Sequence, residues 1–433
     1  MPTSWNRLPQ VRHQRLIEWQ DRDAALPESA APLLAWGNGR SYGDVCLNDG
    51  GTLLLTRSMD HLIAFDRVTG SLECEAGVML GDLLRWCLPQ GWMLPVVPGT
   101  QFITVGGAIA NDIHGKNHHV AGNFGHHVLA IELLRSTGER LWIGPDQEPE
   151  LFAATVGGLG LTGLITRVCI QMVPVSNEFV LTESIPFGNL DEFWELNDRL
   201  GPRWPYTVSW IDCIARGRRL GRGVFLAGRH APPQPAGTRL PVWRDHSRSI
   251  PLDMPSWMLN RYSVRAFNMV YYRAASKPGR RLQHYQPYFF PLDGVRDWNR
   301  IYGRKGFYQY QCVLPPANAR DGIRTLLKRI AASGQGSFLA VLKSFGDRPS
   351  LGMLSFPRPG VTLALDFSNH GTRTQRLFSD LDDVVSAAGG ALYPGKDARM
   401  SVTMFRRGFP QWERFAGFID PAFSSTFWRR MNP

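Results

Sequence analysis

The chain has 433 residues, 48 Lys and Arg against 37 Asp and Glu, and 43% apolar residues, a composition that suits a globular protein of two or three domains. Fibrous, collagen-like and wholly disordered architectures are excluded. The longest apolar stretch, Leu151 to Thr166 between Glu150 and Arg167, is shorter than the roughly 20 residues that cross a bilayer.

The amino end, MPTSWNRLPQVRHQRLIEW, is polar and lacks an apolar run followed by a small-residue cleavage site, so a cytoplasmic location is expected. A first glycine-rich stretch, AWGNGRSYGD (35–44), follows. Gly37, Gly39 and Gly43 free its backbone for positive φ and close approach, and successive unobstructed N–H groups there form an anion nest. Short β-branched runs then predict strands at LLLT (53–56), SLECEAGV (71–78) and WMLPVV (92–97), with a helix at GDLLRWCLPQG (81–91). A second glycine-rich stretch, VPGTQFITVGGAIANDIHGKNHH (97–119), supplies Gly99, Thr100, Thr104, Gly106 and Gly107 as backbone donors and small hydroxyls. Two such nests some sixty residues apart suit an extended diphosphate cofactor. Five of the eleven histidines crowd HGKNHHVAGNFGHH (114–127). Adjacent pairs on extended chain point apart, so this reads as a polar ligand-facing loop and not as a metal centre. Strands are expected at LAIELL (129–134), LWIG (141–144) and LITRVCIQMV (164–173), and a helix at PELFAAT (149–155). Between the last two lies GLGLTG (158–163), a literal GxGxxG. A dinucleotide fingerprint follows a strand and opens a helix, and here that order is reversed.

Beyond about residue 176 the composition changes, and a second domain is expected. Between Arg203 and Lys305 stand 17 Arg and 2 Lys against 5 Asp and no Glu, a balance of 19 − 5 = +14. The excess gathers in RGRRLGR (216–222), the Arg229 to Arg248 stretch and KPGRR (277–281), and argues for an anionic partner. Nucleic acid ranks low because no aromatic RNP-like run, helix-turn-helix or zinc-finger spacing accompanies the charge. The stretch 231–257, rich in Pro, Arg and Ser, reads as a long flexible loop spanning about 228–260. Six scattered cysteines without a CxxC pair read as buried thiols. Only six cations are Lys, which singles out Lys116, Lys343 and Lys396 inside motifs as amines whose pKa can move.

Seven segments together resemble a known family: GNGRSYGD (37–44), CEAGVMLGDLL (74–84), PGTQFITVGGAIANDIHGKNHH (98–119), TVGGLGLTG (155–163), QYQCVLP (309–315), FLAVLKSFG (338–346) and LYPGKDAR (392–399). They are similar to the decaprenylphosphoryl-β-D-ribose 2′-oxidase family, flavoenzymes of the vanillyl-alcohol-oxidase type. The resemblance implies an α+β, two-domain FAD-binding PCMH fold with an antiparallel-sheet substrate domain. Residues 1–177 would begin the FAD domain, 178–390 form the substrate domain, and 391–433 return to the first. Flavin contacts are implied for Gly37, Asn38, Gly39, Arg40, Ser41, Tyr42, Gly43, Asp44, Gly99, Thr104, Val105, Gly106, Gly107, Asn111, Asp112, Ile113, His114, Ile165 and Tyr393. Covalently flavinylated relatives carry His in the first glycine motif; Arg40 stands here, which implies non-covalent FAD.

On the substrate side the resemblance implies Lys116, Trp210, Phe289, Gln309, Gln311, Lys343, Thr362 and Ala364. Three positions depart from the family, with Thr362 and Ala364 in place of Asn and Cys, and Phe289 in place of Tyr. Oxidising a secondary alcohol needs hydride transfer to the flavin and a base for the hydroxyl proton. Lys396 is the candidate base, with His114 the alternative. The implied reaction is oxidation of the 2-hydroxyl of a polyprenyl-phosphoryl-β-D-ribofuranose. The implied partners are an NAD(P)H-dependent short-chain reductase and an anionic membrane surface, peripherally on the inner membrane. A soluble aldose, alditol or lactone oxidase of the same fold is the second reading, and a nucleic-acid-binding protein a third.

Overall fold

A computed structural model describes residues 2–233, 243–245, 247–277 and 279–432. Near the amino end, Thr52–Leu55 lies between Arg15–Glu18 and Leu33–Trp36 in a small parallel sheet. Next comes an antiparallel sheet in the order Leu62–Phe65, Ser71–Glu75, Leu164–Gln171, Val128–Leu134, Arg140–Ile143. Leu80, Leu83, Leu84 and Cys87 recur at helical spacing, so the helix Leu80–Cys87 buries one stripe. That stripe joins Leu72, Ile131, Val168 and the helix Val105–Ala110 in one core.

Most expected elements of this region are found, including the helix Pro149–Thr155, which starts on a proline already shaped for a first turn. WMLPVV is an exception: only Trp92–Met93 is strand, paired with Val173–Pro174. Pro95 has no N–H to continue a ladder, and Val96 and Val97 are buried off the sheet. The histidine cluster also differs from the expected extended chain, since His118–Ala121 and Phe124–His127 are single helical turns.

The second region is built on eight antiparallel strands in the order Gly279–His284, Phe179–Phe187, Gly223–His230, Tyr206–Ile211, Ala340–Phe345, Gly360–Ser368, Phe307–Leu314, Ala391–Leu392. Side chains alternate between faces. Leu342, Leu363, Leu365, Cys312 and Leu314 face the helices Pro316–Ser333 and Thr372–Ala387, whose Ile323, Leu326, Leu327, Phe378 and Leu381 complete a dry core. The opposite face meets the first region. Of the stretch expected to be a loop, residues 234–242 and 246 lie outside the described residues; Arg248–Ser249 pairs with Val295–Arg296.

After Ala391–Leu392 the chain returns to its beginning. Leu33 N–H donates to Ala422 O at 2.7 Å and Thr426 N–H to Leu47 O at 2.8 Å. Arg430 grips both oxygens of Asp44 at 2.8 Å and reaches Asp397 at 3.2 Å. Asp44 is 1% exposed, so losing the guanidinium strands a buried carboxylate. Arg430→Ala is expected to cost about 3 kcal/mol, seen as a lower thermal unfolding midpoint, while Asp44→Asn, which leaves the partly exposed guanidinium its contacts to Asp397 and Met400 O, should cost less.

Candidate active site

The first glycine stretch leaves the strand Leu33–Trp36 as a tight loop with Gly39 at φ 56° and Gly43 at φ 77°. Among the described residues, the backbone N–H groups of residues 37 to 41 donate to no protein acceptor, whereas Tyr42 N–H donates to Gly395 O and Gly43 N–H to the Asn6 amide oxygen. Five successive unclaimed donors make an anion cradle. The loop has no room for side chains at Gly37, Gly39 and Gly43. A Cβ at Gly37 would stand 2.4 Å from Thr104 Oγ1, and one at Gly43 1.7 Å from the Asp397 carbonyl oxygen. Asn38 ties the loop to the second glycine stretch by donating to Phe102 O at 2.8 Å. Arg40 donates to Asn38 O and lies over the Trp5 ring, while Ser41 O accepts from Trp5 N–H.

The second stretch works differently from expectation. Thr104 caps the helix Val105–Ala110 by accepting from Gly107 N–H, and the N–H groups of Val105 and Gly106 donate to Val78 O and Ala76 O. The N–H groups of Val105, Gly106 and Gly107 are therefore already used inside the fold, whereas those of Gly99, Thr100 and Thr104 donate to no protein acceptor among the described residues. Gly99 alone has open space where a Cβ would be. Asn111 donates to Gly107 O but leaves its own buried amide oxygen without a partner among the described residues. Two implied flavin contacts are committed elsewhere: Asp44 to Arg430, and Asp112 to Ser355, Asn123 and Gly125 N–H. Ile113 and Ile165 belong to the core that carries the helix Val105–Ala110. Tyr393 donates from its hydroxyl to Asn111 O at 3.1 Å and stacks on Phe356 with ring centres 4.5 Å apart.

Opposite this cradle, the second region's sheet turns a polar face. Register pairs Gln309 with Asp366, Gln311 with Ala364 and Lys343 with Thr362, so alternation puts all six on one side. Lys343 donates to His114 Nδ1 at 2.8 Å and to Gly115 O at 2.6 Å. On the other side of the ring the Gln311 amide nitrogen lies 3.1 Å from His114 Nε2 and donates to Thr362 Oγ1 at 3.2 Å. Phe345, Phe356 and Tyr393 surround the imidazole. Burial first, then the nearby Lys343 amine, holds the His114 pKa well below the ordinary range. Both nitrogens are occupied and the ring stays neutral, so His114 is a fixed member of the network.

Three of the six lysines gather here, Lys343 buried and Lys116 and Lys396 half-buried. Lys116 lies over the Tyr288 ring at 4.2 Å and donates to Tyr288 O; Phe289 stands behind, 6.0 Å away and fully buried. Burial pushes Lys116 and Lys343 down to about 7. Lys396 sits 3.9 Å over the Tyr42 ring. Burial lowers its pKa to about 8 against the opposing charge of Asp366, whose own pKa burial lifts to about 7 while Gln309 donates to it at 2.7 Å. Asp366 escaped the sequence reading. The available signal was period two, since Thr362, Ala364 and Asp366 occupy alternate positions of VTLALDF. Trp210 shares the polar face two residues from the Lys343 register, but its indole N–H is spent on Phe338 O at 2.9 Å.

The decoys resolve locally. GLGLTG is a turn between helix and strand in which Gly157 and Leu159 N–H donate to Ile109 O and Ala110 O, clamping the helix Val105–Ala110. His119 Nε2 meets Gly201 O and Trp204 O, His127 Nε2 meets Ala121 O, and His118 Nδ1 accepts from Gly346 N–H.

Residues 24–144 match the FAD binding domain family. The chain is 35% identical over 422 residues, 94% of its length and 91% of the relative's, to the decaprenylphosphoryl-β-D-ribose oxidase of Mycolicibacterium smegmatis. It is 27% identical to the D-arabinono-1,4-lactone oxidase of Eremothecium gossypii, over 40% of this chain and 32% of that one. FAD is the cofactor, and the residues fit it: five unclaimed N–H groups for the diphosphate, the unpaired Asn111 oxygen, and small residues where loop and helix close together. Gly43→Ala forces a Cβ into the Asp397 carbonyl at a positive φ. The variant is expected to lose most of its acid-releasable flavin, measured as visible absorbance per folded protein.

Proposed function

Because the chain belongs to the decaprenylphosphoryl-β-D-ribose oxidase family and is an FAD-dependent oxidoreductase acting on CH–OH groups, we propose that it oxidises the 2-hydroxyl of a polyprenyl-phosphoryl-β-D-ribofuranose to a ketone. The observation that carries this reading is the half-buried Lys396 over the Tyr42 ring and within the field of Asp366, where the glycine loop meets the polar sheet face. Residues 37 to 43 and Asn111 hold the cofactor, without a covalent bond, since Arg40 stands where tethered relatives carry His. When bound, FAD supplies the two-electron acceptor.

The chain's own residues then handle the alcohol. Neutral Lys396 takes the hydroxyl proton. Its ammonium form is stabilised by the Tyr42 ring face and the Asp366 charge. Gln309, Gln311 and Lys343 present donors to ring hydroxyls, and Lys116 supplies a charge for the phosphate, a pairing about twice as strong as a neutral hydrogen bond. Ala364, Thr362 and Phe289 shape the apolar part of the pocket. A keto sugar on a lipid phosphate calls for a reducing partner, an NAD(P)H-dependent short-chain reductase, to complete epimerisation to arabinose. No helix among the described residues is long and apolar enough to cross a membrane, and a lipid substrate supports a peripheral position on the inner membrane. The lactone-oxidase likeness covers too little of the chain to displace this reading. Flavin bleaching by a prenyl-phosphoryl ribose, compared with free pentoses and lactones, tests it; equal rates would overturn the lipid-phosphate assignment.

Lys396→Ala should keep flavin but slow its reduction by substrate about 10²- to 10⁴-fold, followed by stopped-flow absorbance. Catalysis by the neutral amine rises as pH climbs through the Lys396 value of about 8. Asp366 raises that value, so Asp366→Asn should move the acid limb of the rate profile to lower pH, whereas a purely structural role would lower the rate at every pH alike.

A further inference from the structure

The helix Arg261–Ala275 is capped at its amino end by Asn260, which accepts from Tyr262 and Ser263 N–H. It is unlike every other long helix of the chain. Val264 and Asn268 are its only buried residues, and Asn268 pins it by donating to Asp212 at 2.9 Å. Tyr262, Ala266, Met269, Val270 and Arg273 follow one another at i, i+4, i+7, i+8 and i+11, and so share one face. That face points to solvent: Tyr262 is 67% exposed, Met269 41% and Val270 64%. Leu252 at 75% and Trp257 at 74% extend the apolar exposure just ahead of the helix. Such a patch on a monomer marks an interaction surface.

Charge selects the partner. From Met254 to Leu292 the sequence carries five Arg and one Lys and no carboxylate. Arginines beside an outward apolar stripe fit the boundary of an anionic bilayer, where the stripe enters the acyl region and the cations meet headgroups. The position fits as well. Trp257, Arg261 and Tyr262 border a cavity of about 450 Å³ whose far wall includes Tyr302 and Phe338. Tyr302 stacks on Phe307, which in turn meets Tyr42 edge-on, beneath Lys396.

We propose that the outward face of Arg261–Ala275, with Leu252 and Trp257, is the surface that seats this protein on an anionic membrane. The inference rests on the peripheral-membrane reading above and moves its contact away from RGRRLGR. There, Arg216 is spent on Ala331 O and Arg222 on Asp212.

The test is sedimentation of the flavin-loaded enzyme with vesicles of phosphatidylglycerol and phosphatidylcholine, beside phosphatidylcholine alone. The parent should sediment with the anionic vesicles only. Met269→Ser combined with Val270→Ser, both solvent-facing, should lower the bound fraction about tenfold with flavin content and unfolding midpoint unchanged. Full binding by the double variant would overturn this surface and leave the membrane reading standing. Absence of binding by the parent would overturn the membrane reading itself. A change in sedimentation coefficient with vesicle binding intact would assign the face to contacts between copies of the chain and overturn the proposal.

Discussion

Arg430 is the fastening on which the site depends. One guanidinium holds Asp44, at the end of the glycine loop, and Asp397, next to Lys396. The loop that presents Tyr42 and the segment that presents Lys396 thereby become one piece, with Tyr42 N–H on Gly395 O and no space for a Cβ at Gly43. Residues some 350 positions apart in sequence meet here, and the last helix, Thr426–Met431, supplies the guanidinium that clamps them. The cost of ordering so long a connection is met by burial of Phe405, Phe415, Phe427 and Trp428 in the shared core.

The second constraint is the two-residue period of the sheet. One face is apolar and dry against two helices; the other carries amides, a carboxylate and an amine. Burying ionisable groups is unfavourable, and here it is tolerated because each has a partner: Lys343 has His114 and Gly115 O, Asp366 has Gln309, Lys396 has an aromatic face and a carboxylate. The same burial brings three amines from the ordinary lysine range to between about 7 and 8, where proton exchange near neutral pH is efficient.

Much of the first region was legible because its signals are local. Glycines at turn positions, short β-branched runs and the helix–turn–strand order around GLGLTG depend on neighbours in sequence. What stayed hidden depended on distant partners. Asp44 and Asp112 sit inside flavin-binding motifs, yet a C-terminal arginine and Ser355 claim their carboxylates. Asp366 stayed hidden because VTLALDF reads as an apolar strand until Gln309 and Lys396 are seen beside it. Arginine-rich runs told of charge but not of its use, since Arg216 and Arg222 are bonded to Ala331 O and Asp212 while the sparser arginines of Arg261–Ala275 flank open apolar surface.

Ala364 carries a last consequence. It occupies the register position opposite Gln311 on the polar face, and the adjacent Cys312 turns away into the helix-side core. Burial raises the thiols of Cys46, Cys87, Cys213 and Cys312 to about 12 and that of Cys169 to about 11, far from the thiolate that reacts. Electrophiles that disable an enzyme by capturing sulfur would find no foothold in this pocket, and any compound that blocks it must do so by fit and reversible attraction.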